Sequence, residues 1–298
     1  MRVLVTGAGG MLGQDLAAAC RRRGHEVVAL GRSELDITEA AAVAEALGRQ
    51  RPDAVANCAA YTDVDAAQSN EAEAMRVNDE GAGLLAAAAA GIGAKVLYPS
   101  SDYVFDGRKR QPYVESDLTR AISAYGRSKQ AGETAVAAAN PQHFIVRASW
   151  LFGVGGRNFV ETMLRIGREQ PEVVVVSDQV GCPTYTGHLV AALAELLESE
   201  AYGIHHIAGN GAASWFDFAQ EIFDQADIDC RVLAGTTEML ARPAPRPSYS
   251  VLGTERRRPR RLPDWRRGLA AYLAERERIE LVTNPAAPGG GAEEAAGQ

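Results

Sequence analysis

The chain has 298 residues, 46% of them hydrophobic and 23% charged; that is enough for a sizeable core in one or two domains and argues against wholesale disorder or a fibrous repeat. Lysine and arginine number 31 against 38 aspartates and glutamates, a net charge of −7, so a general nucleic-acid surface is not expected and an anionic small ligand needs locally placed arginines. Four scattered cysteines, Cys20, Cys58, Cys182 and Cys230, form no CxxC pair; they read as reduced thiols and not as a disulfide frame or a zinc site.

In chain order, Val3–Val5 reads as a buried strand and Met11–Arg23 as a helix, with Leu12, Leu16, Ala19 and Cys20 at three- and four-residue spacing. Glu26–Leu30 is a second strand, Ala40–Gln50 a helix, and Ala54–Ala56 a third strand. Glu71–Ala90 reads as one long alanine-rich helix, Lys95–Tyr98 as a strand, Ala124–Ala139 as a helix and Phe144–Arg147 as a strand. Strands alternating with helices predict a parallel sheet covered on both faces. Beyond about residue 150 the alternation loosens. Glu172–Val176 and Gly203–Ile207 read as strands and Gly187–Glu198 as a helix. Ser214 is expected to cap a helix running through Phe223, with Asp217 in the capping-box position. The proline-rich run Ala241–Pro247 is a loop and Asp264–Glu280 a last helix. The expected division is a first domain over 1–150, to which some later segments return, a smaller domain over 151–282, and a disordered tail over 283–298. No apolar run is long enough to span a bilayer, and the opening residues lack a secretory leader, so a cytoplasmic location is expected.

The first strand runs into Thr6-Gly7-Ala8-Gly9-Gly10-Met11-Leu12-Gly13 and then a helix. Glycines there let the backbone turn sharply and let a diphosphate approach without a Cβ clash. The helix start adds free N–H groups and a positive dipole end. The strand–turn–helix context is what a dinucleotide-binding reading requires. The fold class expected is therefore α/β, a Rossmann doubly wound parallel sheet with a smaller C-terminal α/β substrate domain. After the second strand comes Leu30-Gly31-Arg32-Ser33. An arginine at this place accommodates the 2′-phosphate of NADPH, while Glu34 nearby leaves NADH open.

Tyr125-Gly126-Arg127-Ser128-Lys129 puts a phenol and an ammonium four residues apart, on one helix face. At an effective dielectric near 20, unit charges about 4 Å apart interact by roughly 4 kcal/mol. A lysine at that range is expected to lower the phenol's pKa. Tyr-x-x-x-Lys alone is common by chance. It is joined by Tyr98-Pro99-Ser100-Ser101-Asp102-Tyr103 at the end of the fourth strand, with Ser101 24 residues before Tyr125, where ligand crevices of open α/β sheets lie.

Together with the glycine turn, this serine, tyrosine and lysine resemble the extended short-chain dehydrogenase/reductases. Longer segments narrow the resemblance to the dTDP-4-dehydrorhamnose reductase family. They are Asn57–Ala67, Ser101–Gly107, Arg147–Gly153, Asn158–Val160, Asp178–Thr184, Ser214–Ala219 and Arg246-Pro247, so the likeness spans about residues 1–275. The resemblance implies NAD(P)H-dependent reduction of the 4-keto group of dTDP-6-deoxy-L-lyxo-4-hexulose to dTDP-L-rhamnose. Ser101, Tyr125 and Lys129 would be catalytic. Gly7, Gly10, Met11, Leu12 and Gly13 would hold the cofactor diphosphate, Arg32 the 2′-phosphate, and Asp36 and Ile37 the adenine. Ala60, Tyr61 and Thr62 would line the cofactor path, with Tyr125 and Lys129 at the nicotinamide end. Ser101, Asp102, Trp150, Asn158 and Arg246 would meet the substrate. No metal is expected in the site, though the sequence leaves open a divalent metal at an interface; the charge and the short apolar runs predict no nucleic-acid or membrane partner, and a homodimer is left open. Related dehydratases carry an Asp-Glu pair where this chain has Asp102-Tyr103, which argues for simple reduction. The family pattern after Arg246-Pro247 usually continues to an asparagine, where this chain has Ser248-Tyr249-Ser250; a tyrosine there is expected to reshape the substrate pocket. That departure keeps open a reductase of another dTDP-4-keto-deoxysugar, as in streptose or antibiotic-sugar assembly. A third reading is a non-catalytic NADP-binding regulatory subunit. His205 and His206 would point to opposite strand faces and not share a metal. Trp215 and Trp265 are expected to pack their helices, and Arg256–Arg261 to form a solvated face.

Overall fold

A computed structural model describes residues 1–283. Short runs of valine, leucine and alanine, apolar on both faces, form the strands, and this is the pattern of a parallel sheet with helices on each side. The chain lays down β1 (Arg2–Thr6), α1 (Met11–Arg22), β2 (Glu26–Leu30), α2 (Ala40–Gln50), β3 (Ala54–Asn57) and the short helices α3 (Val64–Ser69) and α4 (Glu71–Met75). After a π-helical turn over Arg76–Gly81 come α5 (Ala82–Gly91), β4 (Lys95–Ser101), α6 (Ala124–Ala139) and β5 (His143–Ala148). Next are β6 (Leu151–Phe152), α7 (Phe159–Glu169), β7 (Glu172–Val176), β8 (Val180–Gly181), β9 (Thr184–Tyr185), α8 (Thr186–Leu197) and β10 (Gly203–His206). The chain closes with β11 (Ala213–Ser214), α9 (Trp215–Gln225), β12 (Arg231–Gly235), α10 (Thr237–Leu240) and α11 (Trp265–Thr283).

Six strands form one sheet in the order β10-β5-β4-β3-β1-β2, parallel throughout. Val3 and Val5 face α1 and α8 in a core with Leu16, Cys20, Leu189 and Leu193. Leu4 and Val55 face the other way, onto Val43, Leu47 and Leu85. The chain leaves β1 for β2 on one side and returns to β3 on the other. The order therefore reverses at β1/β3, and the crevice outside that point is where such sheets take ligands. A second core joins Phe152, Leu164, Phe218, Ile222, Trp265 and Tyr272, around the parallel pair β7–β12. The disordered segment expected over 283–298 lies outside the described residues, apart from residue 283, the last of α11.

The single helix expected over 71–90 is instead interrupted. Asn78 sits in the widened turn. Its backbone carbonyl accepts a bond from the buried Tyr98 hydroxyl at 2.8 Å. Its side chain accepts from the Tyr61 N–H at 2.9 Å and donates to the Tyr61 carbonyl and to Ser128 Oγ. These tertiary bonds tie the Tyr61 loop to α6, which a regular alanine-rich helix has no reason to do. The helix α7 and the strand β12 were not anticipated. The capping box of Ser214 and Asp217 is formed as expected.

Candidate active site

The glycine turn is shaped by close approaches. Gly7 has φ +62°, and a Cβ there would lie 2.5 Å from Ala59 N; a Cβ on Gly13 would lie 2.3 Å from Gly7 O. The turn is thereby pressed onto the loop that follows β3. Gly10 caps α1 without a side-chain bond, which leaves the first amides of the helix free. Gly9 and Gly10 keep the space above open: a Cβ on Gly9 would meet nothing within 4 Å, and one on Gly10 only Gly7 O at 3.4 Å. Asn57, at the end of β3, has a buried Nδ2 with no partner. Open amides, an orphaned donor and missing side chains fit a dinucleotide diphosphate.

A cleft of about 1240 Å³ runs from this turn across the strand ends. Gly7, Gly10, Met11, Leu12, Gly13, Arg32, Asp36, Ile37, Ala60, Tyr61 and Thr62 all line it. The Arg32 side chain is 78% exposed and 4.0 Å from Glu73. Asp36 accepts from the Thr38 N–H and hydroxyl at 3.0 and 2.7 Å, bonds that hold its carboxyl below the usual range. Glu34 turns back on its own loop and accepts from Gly31 N at 2.7 Å.

The same cleft reaches Ser101, Asp102, Tyr125 and Lys129. Ser123 caps α6 by accepting from Gly126 N at 3.1 Å. A Cβ on Gly126 would lie 2.2 Å from Tyr103 O, so the first turn of α6 abuts the end of β4. That contact brings the Tyr125 phenol near enough to Ser101 for the serine to favour its charged form. Burial pushes the Tyr125 phenol up to about 12, against the pull of Ser101 and with the help of the Asp102 charge. The expected lowering by Lys129 is thus reversed, because desolvation outweighs the neighbours. Lys129 Nζ lies 4.0 Å from the centroid of the Tyr98 ring. Burial brings its ammonium down to about 7, opposed by Glu133 one turn along. Glu133 is held by Ser100 Oγ at 2.6 Å and by a bidentate pair with Arg147 at 2.9 and 2.7 Å. Asp102 is buried beneath three serines: Ser250, Ser149 and Ser101 donate to it at 2.5, 3.1 and 3.1 Å. Burial still raises its carboxyl to about 6.

Trp150 has φ +49° and stacks on Trp215 with ring centroids 3.5 Å apart; both line the cleft. Trp215 therefore does more than pack its own helix. Arg246 also lines the cleft, with its guanidinium bidentate to Asp65 at 3.0 Å in both bonds. Arg242 reaches the same carboxylate at 3.0 Å. Asp65 is a residue that composition and spacing did not single out. Asn158 is not among the cleft-lining residues. It caps α7 by accepting from Glu161 N at 3.1 Å and holds the preceding loop through Gly153 O at 2.9 Å. Both ends of its amide are thus engaged within the cap and the loop. Tyr249 is also outside the cleft lining. It packs on Val104, Phe105 and Tyr113, and its neighbour Ser250 is the one that reaches the site. The His205 ring bonds the Ala201 carbonyl and the His206 ring bonds those of Tyr113 and Gly253.

The family model described as RmlD substrate binding domain matches residues 1–278. A dTDP-4-dehydrorhamnose reductase of Streptomyces griseus is 47% identical over 86% of this chain and 86% of its own length. A probable dTDP-4,6-dihydroxy-2-methyloxan-3-one 4-ketoreductase of Streptomyces antibioticus is 43% identical over 90% and 93%. The solved structure of dTDP-4-dehydrorhamnose reductase from Bacillus anthracis in complex with NADP superposes with a TM-score of 0.90, at 38% identity, over 92% of this chain and 99% of the other.

Proposed function

The chain belongs to the dTDP-4-dehydrorhamnose reductase family, and from that premise we propose that it reduces the 4-keto group of dTDP-6-deoxy-L-lyxo-4-hexulose to give dTDP-L-rhamnose. It is an NAD(P)H-dependent oxidoreductase of dTDP-4-keto sugars. The observation that carries the reading is one continuous cleft lined by the glycine turn and by Ser101, Tyr125 and Lys129.

Gly7–Gly13 would hold the nicotinamide cofactor, which would supply the hydride for reduction at the sugar C4. Tyr125 gives its phenol proton to the carbonyl oxygen as negative charge builds there, a role usually worth roughly 10²- to 10⁴-fold. A phenol raised to about 12 is fully protonated at neutral pH, the state a donor needs. Ser101 turns its one hydroxyl proton from Asp102 to the same oxygen when the substrate is in place. Lys129, when charged, steadies the phenolate that Tyr125 becomes. Asp102 anchors Ser101 from behind, and the Trp150–Trp215 stack with Arg246 walls the sugar-nucleotide side. Residues 1–150, with the returning segment 186–206, serve the cofactor; 151–282 mainly serve the substrate.

A second reading, reduction of a different dTDP-4-keto-deoxysugar, is favoured by the 43% identity to the Streptomyces antibioticus ketoreductase. Incubation with NADPH and dTDP-4-keto-6-deoxyglucose, with and without a 3,5-epimerase, separates the two. Loss of nicotinamide absorbance only when the epimerase is present is the expected result. Equal turnover without it would move the substrate to the unepimerised sugar.

A further inference from the structure

The cleft wall carries five cations, and four of them are engaged. Arg32 faces Glu73, Arg242 and Arg246 share Asp65, and Lys129 is buried above Tyr98 beside Glu133. The fifth, Arg157, is exposed and makes no hydrogen bond or ion pair among the described residues. In a protein of net charge −7, an unpaired guanidinium at a nucleotide cleft is a local counter-charge waiting for an anion.

The loop that carries Arg157 is built to lie on the glycine turn. Gly155 has φ +81°, and a Cβ there would sit 3.0 Å from Gln14 Oε1; a Cβ on Gly156 would sit 3.0 Å from Met11 Cβ. Gln14 in turn donates to Gly9 O at 2.8 Å. Gly153 is pinned at the other end, where a Cβ would run into Thr186 Oγ1. Asn158 ties the loop together by donating to Gly153 O at 2.9 Å and Gly156 O at 3.2 Å. This gives the asparagine a purpose beyond its cap: it fixes the segment that ends in Arg157 against the first turn of α1.

We propose that Arg157 binds the pyrophosphate of the bound cofactor, opposite the free amides of α1. The inference rests on the reading that this cleft holds NAD(P)H. Guanidinium matches phosphate oxygens in a fork, and the contact of Gly156 with Met11 puts the loop on the cofactor's side of the cleft.

Titration of the full-length chain with NADPH, NADH and dTDP, followed by calorimetry, tests this without any turnover. Arg157→Ala is expected to weaken NADPH and NADH by the same factor, about tenfold, and to leave dTDP unchanged. Arg157→Lys should recover part of the loss, since the charge stays and the fork goes. Arg32→Ala should weaken NADPH while sparing NADH. Wild-type affinity of Arg157→Ala for both dinucleotides would overturn the proposal. So would a loss confined to dTDP, or one confined to NADPH. Were the wild-type protein to bind neither dinucleotide, the underlying reading of the cleft would fail first and this one with it.

Discussion

Tyr125 and Lys129 sit one helical turn apart in the cleft wall, and desolvation acts on them in opposite ways. The phenol is driven to about 12 and the ammonium to about 7, each toward its neutral form. At neutral pH the donor is therefore in place, and the group that titrates is the lysine. Below pH 7 Lys129 is charged and supports the developing phenolate; as pH rises through about 7 that support is lost. The expected kcat/KM profile for ketone reduction thus falls on a basic limb near pH 7, well below the phenol's own titration. Lys129→Arg, which stays charged, should lower the maximal rate and remove the limb from the neutral range. A limb near 7 that survives in that variant would contradict the assignment to Lys129. The serine, tyrosine and lysine were readable because their spacing is local to one helix and one strand end. The Trp150–Trp215 stack and the Asp65 pair with Arg246 were not, since their partners lie 65 and 181 positions apart.

What keeps α6 in register with β4 and the turn after it is the absence of side chains at Gly126 and Gly132. At Gly132 a Cβ would lie 2.0 Å from Asn78 O and 2.3 Å from the Tyr98 hydroxyl, inside a bond that the fold uses. Gly132→Ala is expected to cost about 1–3 kcal/mol or more as the turn and helix are forced apart. Gly48 in α2 meets nothing within 4 Å; alanine there should add roughly 0.5–1 kcal/mol. Denaturant unfolding of both variants checks the pair, and a Gly132→Ala protein as stable as wild type would contradict this packing. The same region shows where sequence reading stops. The spans of β2, α2, α6 and β7 follow from period and caps, which are local signals. Residues 71–90 read as one helix because alanine composition hides the widened turn that Asn78 makes for Tyr61, Tyr98 and Ser128. The helix α7 did carry a local signal, Asn158 followed by Glu161 at the third helical position, ahead of Val160, Met163 and Leu164. β12 is five residues whose partner β7 lies about 60 positions earlier, so nothing nearby announces it.

At the scale of the molecule, an acidic chain offers two nucleotides one cleft. Its volume of about 1240 Å³ exceeds the roughly 300–1,000 Å³ usual for a single small-molecule site. The six-stranded sheet supplies the glycine turn, Ser101 and the α6 face. The second core, around Phe152, Phe218 and Trp265, carries α9 with Trp215 and so sets the far wall. No helix among the described residues is long and apolar enough to cross a membrane. Direct transfer between two ligands held in that one space, with Tyr125 as proton donor, is the claim on which everything else depends. Single-turnover reaction with NADPH deuterated at the nicotinamide C4, in the wild-type protein and in Tyr125→Phe, tests it most directly. Deuterium at the sugar C4 in the wild-type product is the predicted result, together with a 10²- to 10⁴-fold slower transfer in Tyr125→Phe at unchanged NADPH affinity. A product without the label, or a variant that transfers it at the wild-type rate, would contradict the account.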